Sequence, residues 1–223
     1  MLDRLRGLFG GGSSRETPQA STAAYARPAD PFTRQSNGLD QFFSSLQDRT
    51  ALTVLDFAGA SQENVSFITS MGHRLSSEDF VRSIDHTFGV EQTVEAQADP
   101  LLVDAFIAEN LAFPPDSFDG ALVWDALQFL SPHLLQLTID RLYDTLRPGA
   151  YLFAFFNADD KARHIPVYHY RIADHKTLML TPRGSRPAAQ FFNNRAIEKV
   201  FHRFESVKFF LARDHLREVI VKR

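Results

Sequence analysis

Cysteine is absent from the 223 residues, which excludes disulfides, thiolate metal sites and cysteine nucleophiles. No apolar run approaches the roughly 20 residues needed to cross a bilayer. The first twelve residues also lack the apolar core and cleavage site of a secretory signal. These absences predict a cytoplasmic protein without a transmembrane segment. No phosphate-binding P-loop, nucleophile elbow or Ser/His/Asp arrangement is visible. The histidines at 164, 169, 175, 202 and 215 show no helical metal-ligand spacing, so no metal is expected.

What is present is an apolar body. Apolar residues make up 44% of the chain and 21 of them are phenylalanine, enough to bury a core rather than stay disordered. The net charge of −3 hides a division: residues 1–160 carry 10 basic against 22 acidic side chains, and residues 161–223 carry 14 against 5. Either the two parts neutralise one another within one fold, or the basic part, with Arg183, Arg186, Arg195 and Arg203, meets an anionic partner. The basic residues lack interleaved aromatics, so no nucleic-acid site is evident.

Residues 1–36 read as a tail. Leu2, Leu5, Leu8 and Phe9 recur at helical spacing, and a Gly/Ser/Pro-rich linker follows. From residue 37 the pattern is that of one domain. Leu39, Phe42, Phe43 and Leu46 predict a helix, Leu52–Phe57 a strand covered on both faces, and Val65, Ile68 and Met71 a second helix. A weaker strand spans 73–80 and ends at Glu78 and Asp79. Residues 81–110 hold a helix around Leu101–Phe106 and no convincing strand. Gly120–Trp124 and Tyr151–Phe156 are strands around a helix begun by Ser131-Pro132 and stopped by Pro148-Gly149. A hairpin is expected at about 166–182, then a helix capped by Asn194, then strands Val207–Ala212 and Glu218–Lys222. The last pair must be antiparallel, because so short a connection cannot make a crossover. Alternating strands and helices closed by a hairpin predict an α/β fold, a doubly wound, mostly parallel Rossmann-like sheet with a C-terminal antiparallel hairpin.

Residues 113–156, FPPDSFDGALVWDALQFLSPHLLQLTIDRLYDTLRPGAYLFAFF, resemble the class I S-adenosylmethionine-dependent methyltransferases, of the type 11 kind. The likeness lies in a strand, a helix, the turn Leu146-Arg147-Pro148-Gly149-Ala150 and a further strand. It implies S-adenosyl-L-methionine as cofactor and methyl transfer to an acceptor that the sequence leaves unknown. In that family the loop after the first strand reads Asp-x-Gly-x-Gly-x-Gly and curls under the cofactor. Here it is Asp56-Phe57-Ala58-Gly59-Ala60-Ser61-Gln62. Asp56 matches, Ala58, Ala60 and Gln62 replace the glycines, and Gly59 lies between the expected sites. The glutamine either obstructs the loop or replaces a backbone donor.

The resemblance places cofactor contacts at Asp56, Ala58, Gly59, Ser61, Glu78, Asn110, Leu111, Trp124 and Asp125. Glu78, with Asp79 beside it, would hold the ribose diol, since carboxylate oxygens pair with vicinal hydroxyls. The alternative is that both acids serve a helix N-terminus. Trp124 either lines a pocket or caps the core. Asn157, Asp159, Asp160 and His164, beyond the Tyr151–Phe156 strand, are the candidates to assist the acceptor, with solvated loop as the plainer reading. The function expected is that of an S-adenosylmethionine-dependent methyltransferase; the alternative is a methyltransferase-fold binding or scaffold protein without catalysis.

Overall fold

The computed structural model describes residues 30–90, 93–210 and 214–223. The amphipathic start, most of the expected linker and the expected strand end at Ala212 lie outside these residues. The first described strand, β1 (Phe32–Gln35), precedes the expected domain start at residue 37. It leads to α1 (Asn37–Ser44), capped by Ser36, whose hydroxyl accepts from Leu39 N–H. Next come β2 (Thr53–Asp56), α2 (Gln62–Ser70), β3 (Arg74–Ser77) and α3 (Phe80–Phe88). Then come α4 (Thr93–Ala96) and α5 (Pro100–Asn110), the latter containing Leu101–Phe106 and capped by Asp99.

Strand β4 (Phe118–Trp124) is buried along its whole length. A short 3₁₀ turn, Ala126–Phe129, and α6 (Pro132–Thr145) follow. The helix ends before Pro148-Gly149, and β5 (Leu146–Asn157) already includes that pair. The hairpin is longer than its sequence signal, with β6 (His164–Ile172) and β7 (Thr177–Pro187). Helix α7 (Asn194–Val200) takes its cap from Asn193, one residue before the expected Asn194. β8 (Ser206–Phe210) and β9 (Leu216–Lys222) close the chain.

The main sheet has the order β3-β2-β4-β5-β9-β8. β3, β2, β4 and β5 are parallel, and β9 and β8 are antiparallel to their neighbours. This is the Rossmann-like class I arrangement, with the chain winding outward in both directions from β2 and β4. Among the described residues no strand continues the sheet beyond β3. A second sheet, β1-β7-β6, joins β1 to the hairpin.

One buried ion pair ties the two sheets together. Arg34 of β1 donates to Glu218 of β9, to both oxygens of Asp214 (2.7 and 3.2 Å) and to Leu216 O. Glu218, 3% exposed, spends its other oxygen on Gly38 N–H at 2.6 Å. Gly38 is needed there, because a Cβ would lie 2.6 Å from Phe153 Cε2. Removing one partner of such a pair strands a charge in the interior. Arg34→Met should therefore cost about 3–5 kcal/mol of unfolding free energy, and Arg34→Met with Glu218→Leu should recover a large part of it. Urea denaturation of the two variants measures the difference.

Candidate functional site

In doubly wound sheets a ligand sits outside the carboxyl ends of the strands, where the winding reverses. Here that crevice lies between β2 and β4, the strands that end in Asp56 and Trp124. The structure brings these two side chains into direct contact. Trp124 Nε1 donates to Asp56 Oδ1 at 2.6 Å, Ala58 N–H donates to the same oxygen at 2.9 Å, and Asn64 Nδ2 donates to Oδ2 at 2.9 Å. Asp56 is 0% exposed. Burial raises its pKa, against the downward pull of hydrogen bonds from Trp124, Ala58 and Asn64.

The indole reaches Asp56 through a local distortion. The β4–β5 register shifts between Leu122 and Trp124, and Trp124 has φ +50°, left-handed backbone that is uncommon for a bulky residue. Such strain persists only where surrounding contacts impose it. The contacts are aromatic. Trp124 stacks on Tyr170 at 4.9 Å and 10°, and Tyr170 stacks on Phe155 at 5.4 Å and 15°. Trp124 and Tyr170 are each 1% exposed.

Tyr170 belongs to the hairpin, and Asn64 fastens that hairpin to α2. The Asn64 amide donates to Tyr170 O at 3.2 Å as well as to Asp56, and its oxygen accepts from Ile172 N–H at 2.8 Å. One buried side chain thus joins the crevice floor to its cover. The ends of β2 and β4 thus meet through side chains that are both buried. Gln62 is not the obstruction: it is exposed at the start of α2 and donates to Ser66 Oγ. Neither Asn64 nor Tyr170 stood out in the sequence reading. Their signals were a polar residue four positions before Ile68, on the same helix face, and an apolar alternation through Tyr168, Tyr170 and Ile172.

The remaining candidates divide. Gly59, at φ +80°, turns the loop back so that its N–H meets Glu78 O at 3.1 Å; a Cβ there would approach Asp79 Cβ to 3.1 Å. Ser61 caps α2 by accepting from Asn64 N–H. Asp79 caps α3 through Arg82 N–H, as the helix-terminus reading held, while Glu78 is exposed. Asn110 shares with Asp79 a cavity of about 330 Å³ beside α3, and Leu111 is buried in the core. Asn157, Asp159 and His164 line a different cavity at the end of β5, and Asp160 is exposed.

The charge division is largely consumed inside the fold. Arg183 pairs with Asp79 and Arg186 with Asp85, while Arg203 meets Asp140 and Asp144. Of the four, Arg195, on α7, is exposed and makes no ion pair among the described residues. Among the described residues no group of His, Cys, Asp and Glu is arranged to hold a metal, and no helix is long and apolar enough to cross a membrane.

No protein-family model and no curated protein matches the chain. Solved structures of similar shape include 1,6-didemethyltoxoflavin-N1-methyltransferase from Burkholderia thailandensis, bound to 1,6-didemethyltoxoflavin and S-adenosylhomocysteine. It is 13% identical, with 83% of this chain and 76% of that one covered and a TM-score of 0.47. A SAM-dependent methyltransferase from Methanosarcina mazei is 16% identical over 78% of this chain and 93% of its own, with a TM-score of 0.44. Phosphoethanolamine N-methyltransferase 2 from Haemonchus contortus, in complex with S-adenosyl-L-methionine, is 14% identical over 78% of this chain and 38% of its own, at 0.43. The ligands are those proteins' own.

Asp125, next to Trp124, gives the closed crevice a measurable signature. It is buried, and its Oδ2 has no hydrogen-bond partner. Burial pushes its pKa up to about 7, against the pull of the Tyr170 hydroxyl, nearby backbone N–H groups and Arg183. An unfolded aspartate titrates near 3.9. The folded state therefore holds the extra proton between about pH 4 and pH 7, and the stability it brings is lost as pH rises through 7. Asp125→Asn should remove that slope and, above pH 7, stabilise the protein by on the order of 2–4 kcal/mol. Chemical denaturation from pH 4 to pH 8 reads this directly; an unchanged pH profile would show that Asp125 is not the titrating group.

Proposed function

We propose that this chain is a methyltransferase-fold protein that works as a binding or scaffold module, with its nucleotide crevice closed by its own side chains. The supporting observation is the Trp124–Asp56 hydrogen bond beneath the Tyr170 stack, which spends the Asp56 carboxylate on internal partners. A ligand at the switch point would have to break those bonds, expose three stacked aromatic rings and free Asn64 from the hairpin.

A second reading has its own support. A methyltransferase using S-adenosyl-L-methionine would find an exposed carboxylate, Glu78, at the end of β3, and Asp79 and Asn110 around one cavity beside it. Under that reading Glu78 or Asp79 would hold the ribose and Asn110 the adenine side, with the hairpin moved away from β4. The cofactor would supply the methyl group; the residues named would only bind and orient it.

Calorimetric titration of the full chain with S-adenosylhomocysteine, to about 1 mM, separates the two. The binding-module reading expects no heat and no change in Tm. Saturable binding, accompanied by the Tm rise that native-state ligands produce, would overturn it in favour of the enzyme.

A further inference from the structure

The cavity at the end of β5, about 330 Å³ in volume, has the size of a small-molecule site. It opens between the β5 terminus, the start of β9 and the second sheet. Its apolar wall is made by Phe32, Ile165, Tyr168 and Leu216. Phe32 is 43% exposed, unusual for a strand aromatic, and its ring meets Tyr168 edge to face at 5.9 Å.

The polar groups around this wall are Asn157, His164, His215 and two carboxylates, Asp159 and Asp214. Asp159 accepts from Lys161 N–H through Oδ1, and among the described residues Oδ2 makes no hydrogen bond. Asp214 also faces the cavity, and Arg34 holds its carboxyl below the ordinary range against the opposing effect of partial burial. Arg34 cannot offset both acids, because it also bonds Glu218. Arg34, Asp214, Glu218 and Asp159 together sum to −2. A wall of aromatic edges and faces beside two carboxylates suits a cation on an apolar body, since both the carboxylates and the ring faces attract positive charge.

We propose that this cavity binds a small organic amine, an ammonium group on an aromatic or otherwise apolar body, with Asp159 Oδ2 meeting the ammonium and Phe32 and Tyr168 packing against the body. The site goes beyond either reading of the crevice. From Asp214 a chain of contacts leads through Arg34, 4.8 Å from the centre of the Phe155 ring, and through Phe155 and Tyr170 to Trp124, so packed side chains separate the two places.

Three near-isosteric probes test the proposal on the full chain by calorimetry and ligand-observed NMR, in the absence of any nucleoside: phenethylamine, phenethyl alcohol and phenylacetate. Phenethylamine should bind, the alcohol roughly tenfold or more weakly, and the carboxylate weakest. Asp159→Asn keeps an oxygen for the Lys161 N–H and should leave Tm unchanged, while abolishing the preference for amine over alcohol. Phe32→Ala should weaken all three probes. Equal binding of amine and carboxylate, no binding of any probe, or an amine preference that survives Asp159→Asn would each overturn the assignment. The outcome is independent of S-adenosylhomocysteine binding.

Discussion

A buried carboxylate must find donors, and at Asp56 the choice of donors decides what the top of the sheet can do. The carboxylate sits where the sheet's two windings diverge, fully removed from water. An unpaired acceptor there would cost several kcal/mol. The chain meets that demand from within, using an indole, a backbone amide and a side-chain amide. The left-handed backbone at Trp124 and the register shift in β4 follow from it, because the indole must turn toward β2 to donate. The hairpin then lies flat on the indole through Tyr170. A residue that in an open crevice would face a ligand has become part of a continuous core.

The contacts of Asp56 bear on a loop poor in glycine. Glycine is required where backbone must approach a ligand or take positive φ. Of the loop residues only Gly59 takes positive φ, and its N–H meets Glu78 O just beyond β3. Ala58 is buried, with its N–H donating to Asp56. The fold keeps cavities at its flanks, one between Asp79 and Asn110 and another beyond β5. Chemistry that survives on this scaffold has those places to occupy.

Much of the architecture is legible from local pattern. Gly120–Trp124 and Tyr151–Phe156 are apolar runs bounded by turn residues, and they form the central parallel strands; Ser131-Pro132 starts α6 as its chemistry demands. The antiparallel closing pair follows from the length of its connection alone. The crevice was not legible, since its decisive contacts span 68 positions from Trp124 to Asp56 and 106 from Asn64 to Tyr170. Periodicity can say that Tyr170 faces inward, but not what it covers. Strand β1 escaped for a related reason: Phe32–Gln35 follows a linker-like stretch and acquires its meaning only when Arg34 finds Glu218, 184 residues away.

That distance has a consequence for how the molecule is made. During synthesis the strand containing Arg34 emerges well before its sheet partner, running from Thr177 to Leu180, and before its carboxylates at 214 and 218. Until then the nascent segment carries most of the acidic residues, repelling itself and lacking the arginines that will clasp it. Closing such remote pairs is slow because loop entropy must be overcome before any contact rewards it. Docking of β1 therefore waits on β7 and on the carboxylates at 214 and 218, and a ribosome stalled within β9 would hold a chain with an unfinished sheet and β1 unclasped.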